Sequence, residues 1–420
     1  MACDYLQVLN LAKQGKWHQA HQMVQPHSDT LACLLHGYLH RIEGDSANAA
    51  YWYPGPTRRC RTTVWTRSLR VFPHCCKQTA ASNEPPACRV YNRLTGPAMR
   101  HYLKYLSSFF FPVCVVWFLA AGPHAAGAAI AWTLPLWLLL AVDWFSPKID
   151  PEQRGQVLAD GYYDAILYFL AFLQFVIIGL LLVTASQLHW QSMHAAATSI
   201  VNLIVMRILV GTTSGSSAII IAHELIHRRQ RHLRVLGRLL LYTVCYEHFV
   251  IAHLQGHHRS VATPADIATA RLDESFDAYW RRVCVEQFKY AWNSELQRLG
   301  LTHSPLFSPK MLGNTVLQGL FVEITLVLLF LAFFGWAAAI IFLYQALSGV
   351  RLLETSNYYQ HWGLEHGKAG NVLAWVNQSS FTHYALIGLA NHIGHHRRAA
   401  TAFQKLPHLQ QGPSMPMVTS

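Results

Sequence analysis

The chain has 420 residues, of which 52% are hydrophobic and only 13% charged, with a formal net charge of +12. That is about half the usual charged share and too little to cover the surface of an ordinary soluble protein. Its excess Lys and Arg lie beside apolar segments and in one basic stretch, so the charge implies no nucleic-acid partner. The nine cysteines contain no C-x-x-C pair, which removes a thiolate cluster for iron–sulfur chemistry.

Residues 1–53 have apolar positions at helical spacing in YLQVLNLAKQG, a break at Gly15, then WHQAHQMV, and a second helix LACLLHGYLHRI ending at Gly44. A small helical hairpin is expected, with His18, His21, His36 and His40 as polar positions on it and metal binding by them as the alternative. Through GKWHQAHQMVQPHSD, LHRIEGD and NAAYWY this part resembles a small bacterial protein family of unknown function. Residues 54–98 carry eight Lys or Arg against one acidic residue, Glu84, with no sustained period, and read as a disordered basic linker. No charged start, short apolar core and cleavage site opens the chain, so no cleavable signal peptide is expected.

Residues 99–420 read as a membrane domain. Ala165 to Val183 has no charge over 19 residues, close to the ~20 that a spanning helix needs. Similar stretches run from Tyr102 to Ala121, Ala125 to Phe145, Ser199 to Ala222, Val316 to Phe334 and Trp336 to Leu353. The expected fold is all-α, a six-span bundle with a helical, histidine-rich cap. Orientation follows from the basic loops, which stay cytoplasmic. Arg100, Lys104, Lys148, Arg154 and the group Arg228, Arg229, Arg231, Arg234 and Arg238 flank one side, while AGPHAAG and SQLHWQSMHAA have no Lys or Arg. Both termini and every histidine motif are therefore expected in the cytoplasm of a bacterial cell, on its inner membrane. Arg207 and Glu323, costly in hydrocarbon, should face the bundle or reach an interface.

Four segments carry clustered histidine: HELIH (223–227), HLQGHH (253–258), NYYQHWGL (357–364) and NHIGHH (391–396). Residues three and four apart share a helix face. His223 with His227, His253 with His257 and His258, and His392 with His395 and His396 can each aim at one point, and His361 adds a ninth ring. Nine imidazoles are too many for one ion, so two metals are expected. Imidazole suits Zn, Cu, Fe and Ni, and ligand type does not choose among them.

The order AHELIHRR, YEHFVIAHLQGHHRSVATPADIATAR, LLETSNYYQHWGLE and NHIGHHRRA is similar to the alkane 1-monooxygenase family of the membrane fatty acid desaturase and hydroxylase superfamily, over essentially residues 99–412. The resemblance implies two non-haem irons on these nine histidines and dioxygen as co-substrate. It implies hydroxylation of the terminal carbon of an alkane or similar alkyl chain that arrives from membrane lipid. Two electrons come from a rubredoxin or ferredoxin with its reductase. A fatty acyl desaturase, an alkyl-aromatic hydroxylase and, in a different class, a histidine-rich metal transporter are the alternatives.

Where that family has carboxylates beside its histidines, this chain has Ala252, Gln360 and Gly394. Groups taking the outer ring N–H of metal-bound histidine fix its tautomer. Glu224, Glu247, Asp266, Glu354, Glu365, Asn357, His248 and His383 are the candidates for that role here. Arg228, Arg229, Arg231, Arg259, Arg397 and Arg398 could steer an acidic electron carrier or simply hold the loops inside. Trp132, Trp137, Phe169, Phe172 and Phe175 are apolar enough to line a substrate path, and equally suited to lipid.

Overall fold

The structure is a computed structural model that describes residues 4–27, 30–42, 96–149, 157–301, 308–364 and 374–406. It divides into two compact units, Met1–Leu94 and Thr95–Ser420. The linker expected at 54–98 lies outside the described residues except for its last three, as do Glu365 and Glu43.

The first unit has three helices among its described residues, α1 (Tyr5–Lys13), α2 (Trp17–Val24) and α3 (Thr30–Ile42). Asp4 caps α1 by accepting from the Leu6 and Gln7 backbone N–H groups at 3.1 Å. Gly15 adopts φ +74, which glycine reaches without strain and which ends α1 outright. The expected two-helix hairpin is therefore a three-helix unit. Val8, Ala12, Ala20, Val24, Ala32 and Leu39 form its core.

The second unit has six helices long and apolar enough to cross a bilayer: α4 (Pro97–Ala121), α5 (Ala126–Trp144), α6 (Asp160–Ser186), α7 (Met193–Ile226), then, after an intervening helical region, α10 (Thr315–Phe334) and α11 (Trp336–His361). The six-span expectation holds, and the chain is an all-helical integral membrane protein. Between α7 and α10 lie α8 (Arg231–Tyr242) and α9 (Phe276–Arg298). After α11 come α12 (Ser380–Ala385) and α13 (His392–Arg397). Pro112 lacks an N–H for the preceding turn, and residues Leu106–Phe109 tighten to a 3-10 turn just before it.

Packing inside the bundle uses small and polar residues, since lipid removes the hydrophobic drive between helices. At Gly211 a Cβ would lie 2.5 Å from the Ser348 Cβ, and at Gly215 it would lie 2.7 Å from Leu352, so α7 and α11 touch nearly backbone to backbone. A polar belt locks their register. Gln174 donates to Ser214 at 2.9 Å and to Thr243 at 3.2 Å, Ser214 donates to Gln345 at 2.7 Å, and Gln345 donates to the Thr243 carbonyl at 2.8 Å. Such bonds contribute about 0.6–2 kcal/mol each in a membrane.

Arg207 and Glu323 do not meet. Arg207 donates to Ser348 at 3.0 Å and stacks on Tyr344, while buried Glu323 accepts from the Glu247 backbone N–H at 3.1 Å. Trp137, Phe169, Phe172 and Phe175 are exposed on the outside of the bundle, a placement suited to lipid rather than to an internal path. Trp132 instead packs beside Phe118 and His124.

With 34 residues, α7 is the longest span. At 1.5 Å per residue that is about 51 Å, against a hydrocarbon thickness of about 30 Å. One end must project beyond the lipid core, and His223 lies in its last turn.

Candidate metal centre

The last turns of α7 and α11 present His223, His227 and His361. Loop-borne helical segments supply the rest. Two groups result, His223, His227, His253, His258 and His395 in one, His257, His361, His392 and His396 in the other. In each group the ligating nitrogens lie within 4.8 Å of one another. All nine histidines singled out in the sequence are thus brought together. The groups adjoin, with the His258 and His396 rings 4.8 Å apart at their centroids.

Their division depends on a local departure from α-helical period. Residues Ala252–His257 form a π-helical turn, whose i to i+5 bonding brings residues five apart onto one face. His253 and His258 therefore face each other at 3.0 Å between Nε2 atoms, and His257 turns into the other group. Of the two rings expected to join His253, His258 does so and His257 is the one that points away. In α13 the ordinary period persists. His392 and His396 face each other at 3.0 Å, and His395 points the other way, 3.2 Å from His258.

These contacts fit a cation better than they fit hydrogen bonds. Nε2 of His253 lies 3.1 Å from that of His227 as well as 3.0 Å from that of His258. Nε2 of His392 likewise lies 3.1 Å from that of His361 and 3.0 Å from that of His396. A ring nitrogen has one proton or one lone pair, so it satisfies one such neighbour and not two. Buried Nε2 of His223 has no hydrogen-bond partner, a costly state that a metal relieves. Burial first, and the neighbouring rings second, push His253, His392, His395 and His396 well below the usual range, and His258 to about 3. All five are neutral near pH 7, the form that ligates. The donor set fits two transition ions.

Among the described outer candidates, Asp266 holds one of the nine rings, with its Oδ2 accepting from His257 Nδ1 at 2.9 Å. Thr269 donates to the same oxygen at 2.6 Å and the Ala268 N–H to the other at 3.1 Å. These bonds and the adjoining His257 hold its carboxyl down at about 2 against the effect of burial. The His257 proton thereby stays on Nδ1, leaving Nε2 for the centre. Replacing Asp266 with Asn should lower metal affinity by ~10 to 100-fold, measured by competition with a chelator of known strength; unchanged affinity would remove its assigned role.

Glu354 acts at one remove. Fully buried, it accepts from Tyr246 at 3.2 Å, Gln287 at 3.1 Å, Tyr279 at 3.0 Å and Asn357 at 3.1 Å. Three of the four bonds tie α11 to α9 and to the segment after α8, two helical turns before His361, and the fourth, from Asn357, lies within α11. Sequence reasoning singled out Glu354 and Asn357 but not Tyr246, Tyr279 or Gln287. Tyr279 and Gln287 are eight residues apart, on one face of α9, and that spacing was the available signal.

Other candidates are placed elsewhere. Glu224 accepts from Arg228 at 2.9 Å and from the Phe403 N–H at 3.3 Å, tying the end of α7 to the C-terminal segment. Glu247 pairs with Arg238 at 3.2 Å. His248 packs on Tyr246 and Phe288, His383 lies beside Tyr105 and Tyr384, and neither joins a histidine group. Arg228 is buried between Glu224 and Asp164 and is no docking cation. Arg229, Arg231, Arg259, Arg397 and Arg398 are exposed.

The three positions without carboxylates differ in what fills them. A Cβ at Gly394 would lie 2.8 Å from the Asn391 side-chain oxygen, so the Asn391 amide occupies that space. Ala252 instead borders a small cavity shared with His253, His257, Asp266, Gln287 and Asn357. Gln360 is buried, and its carbonyl accepts from the Trp375 N–H at 2.8 Å.

A helical membrane bundle whose span ends converge on a paired, histidine-only centre defines a membrane metalloprotein of the histidine-rich class. The chain belongs to the alkane monooxygenase family of the fatty acid desaturase superfamily, and the fatty acid desaturase family model matches residues 198–416. It is 33% identical over 215 residues to an alkane 1-monooxygenase 1 of Pseudomonas aeruginosa, covering 49% of this chain and 56% of that one. It is 30% identical over 278 residues to alkane 1-monooxygenase 2 of the same organism, with 64% and 71% covered. To an alkane 1-monooxygenase of Pseudomonas putida it is 29% identical over 308 residues, with 68% and 73% covered. The chain thus spans little more than half the length of the first of these relatives.

Proposed function

We propose that this chain is an integral-membrane hydroxylase that places one oxygen atom of O2 on the terminal carbon of an alkane or similar alkyl chain. The observation that carries the reading is the convergence of nine imidazoles, in groups of five and four, from the ends of two membrane-crossing helices and the helical segments between and beyond them. The relatives' names supply the substrate class.

A saturated C–H bond has no polar handle, so an acid, a base or a nucleophilic side chain has nothing to act on. Two irons, when bound, supply the activation of dioxygen that these side chains lack. His223, His227, His253, His258 and His395 would hold one, and His257, His361, His392 and His396 the other. The reaction takes O2, two electrons and two protons for each alcohol and water formed, so an external electron carrier is required. The ligand set would be imidazole throughout, a donor type that suits divalent transition ions. Asp266 holds the His257 tautomer. Glu354 and its four donors hold the rotation of α11 that aims His361.

The carrier is a rubredoxin or ferredoxin, drawn by Arg229, Arg231, Arg259, Arg397 and Arg398, which lie exposed next to ligating histidines in sequence. Basic loops put this face in the cytoplasm of the bacterial inner membrane. The substrate comes from the bilayer.

The test uses membranes containing the full chain, loaded with iron and supplied with a rubredoxin, its reductase, a nicotinamide reductant and a medium-chain alkane under 18O2. A primary alcohol carrying one labelled oxygen is expected. A chain with two irons bound and reduced that yields no labelled alcohol overturns the reading.

A further inference from the structure

The family model stops far short of the amino-terminal unit, yet that unit repeats the pattern of facing rings. His36 and His40 lie one turn apart on α3, and His21 reaches them from α2. Nε2 of His21 is 2.8 Å from Nε2 of His36 and 3.0 Å from Nε2 of His40. The His21 ring stands nearly edge-on to both partners, at interplanar angles of 81° and 76°, while His36 and His40 stack at 14°. The three nitrogens lie within 4.8 Å of one another.

We propose that His21, His36 and His40 form a separate mononuclear site for a divalent cation of the zinc class. One nitrogen of His21 cannot hydrogen-bond well to two ring nitrogens at once, whereas one cation accepts a lone pair from all three. Zn–N bonds of 2.0–2.1 Å in a tetrahedron put ligating nitrogens about 3.4 Å apart, so the rings need open by only a few tenths of an ångström. The backbone beneath is pinned. Ala20 and Val24 on α2 and Leu39 on α3 are buried in the unit's core, immediately beside His21 and His40. His36 is buried while His21 and His40 are half-exposed, so an ion can reach the three rings. His18, exposed and paired with Gln22 at 3.1 Å, stands outside it.

The test is Co2+ uptake by the full chain, purified in detergent and stripped of metal, followed by ion count and by the visible absorption of four-coordinate Co2+. The double variant His36→Gln/His40→Gln should bind one ion fewer per chain and lose the share of that absorption due to that ion. His21→Asn, on the other helix, should lose the same ion. His18→Gln should match the unaltered chain. Equal uptake by all four proteins overturns the proposal, as does loss from only one of the two helices' variants. The membrane-unit histidines are intact throughout, so failure here leaves the hydroxylase reading standing.

Discussion

Replacing His392 with alanine is expected to cut bound iron from two ions per chain to one and to abolish alkane hydroxylation. His392 belongs to the four-histidine group, and its Nε2 faces those of both His361 and His396. Removing it leaves three ligands and opens a void between the two rings it separated. The five-histidine group has one ligand more. His227 is half-buried there, as is His258, and faces His253 alone among the close nitrogen pairs. His227→Ala should therefore weaken its ion yet retain it at saturating iron. Elemental analysis of the two purified variants, with product formation measured on the same samples, checks the asymmetry. Two ions per chain in the His392→Ala protein would show that this ring holds no metal.

The second large effect is expected at Glu354. Leucine there would remove the acceptor of the buried Gln287 and Asn357 amides, while Tyr246 and Tyr279 keep the Gln287 Oε1 and the Ala268 carbonyl as acceptors, each at 3.0 Å. An orphaned buried donor costs about 1–3 kcal/mol, so the two amides together cost about 2–6 kcal/mol. The joint between α11 and α9 should loosen, and His361 should lose its aim. Glutamine keeps the shape, and the hydroxyls and amides around it can turn to suit an amide. Glu354→Gln should then stay within about 1 kcal/mol of the original, as expected where bonds are exchanged and not orphaned. Heating the detergent-purified proteins and measuring the monomer that survives on a sizing column compares them. Equal survival of the leucine and glutamine variants would mean the network does not brace the bundle.

Much of the centre was legible because its signals are local. Charge-free apolar runs long enough for a bilayer identify the spans, and the groups H-x-x-x-H, H-x-x-x-H-H and H-x-x-H-H identify the ligand types. What helical periodicity could not supply was the partition of the rings. The π turn at Ala252–His257 moves residues five apart onto one face, so His258 rather than His257 joins His253. A period of 3.6 predicts the opposite.

Outer partners were harder to read, for a similar reason. Asp266 was found because a carboxylate follows the histidine group closely in the chain. Glu224 and Glu247 looked equally suitable, and their nearest cations, Arg228 and Arg238, took them instead. The same pairing buried Arg228, which its place in a basic block had marked as a surface cation. The Asn391 amide in the space beside Gly394 follows from a steric fit that no spacing rule encodes.

By itself, then, the sequence determined the class of this protein: a helical bundle in lipid with imidazole at its span ends, because hydropathy and residue type act through nearest neighbours. Only the tertiary structure decided which rings share an ion, which acids serve them and that His21 meets His36 and His40. Those outcomes turn on side chains distant along the chain being pressed into the same few ångströms, where packing and competing partners choose among arrangements that local pattern leaves equal.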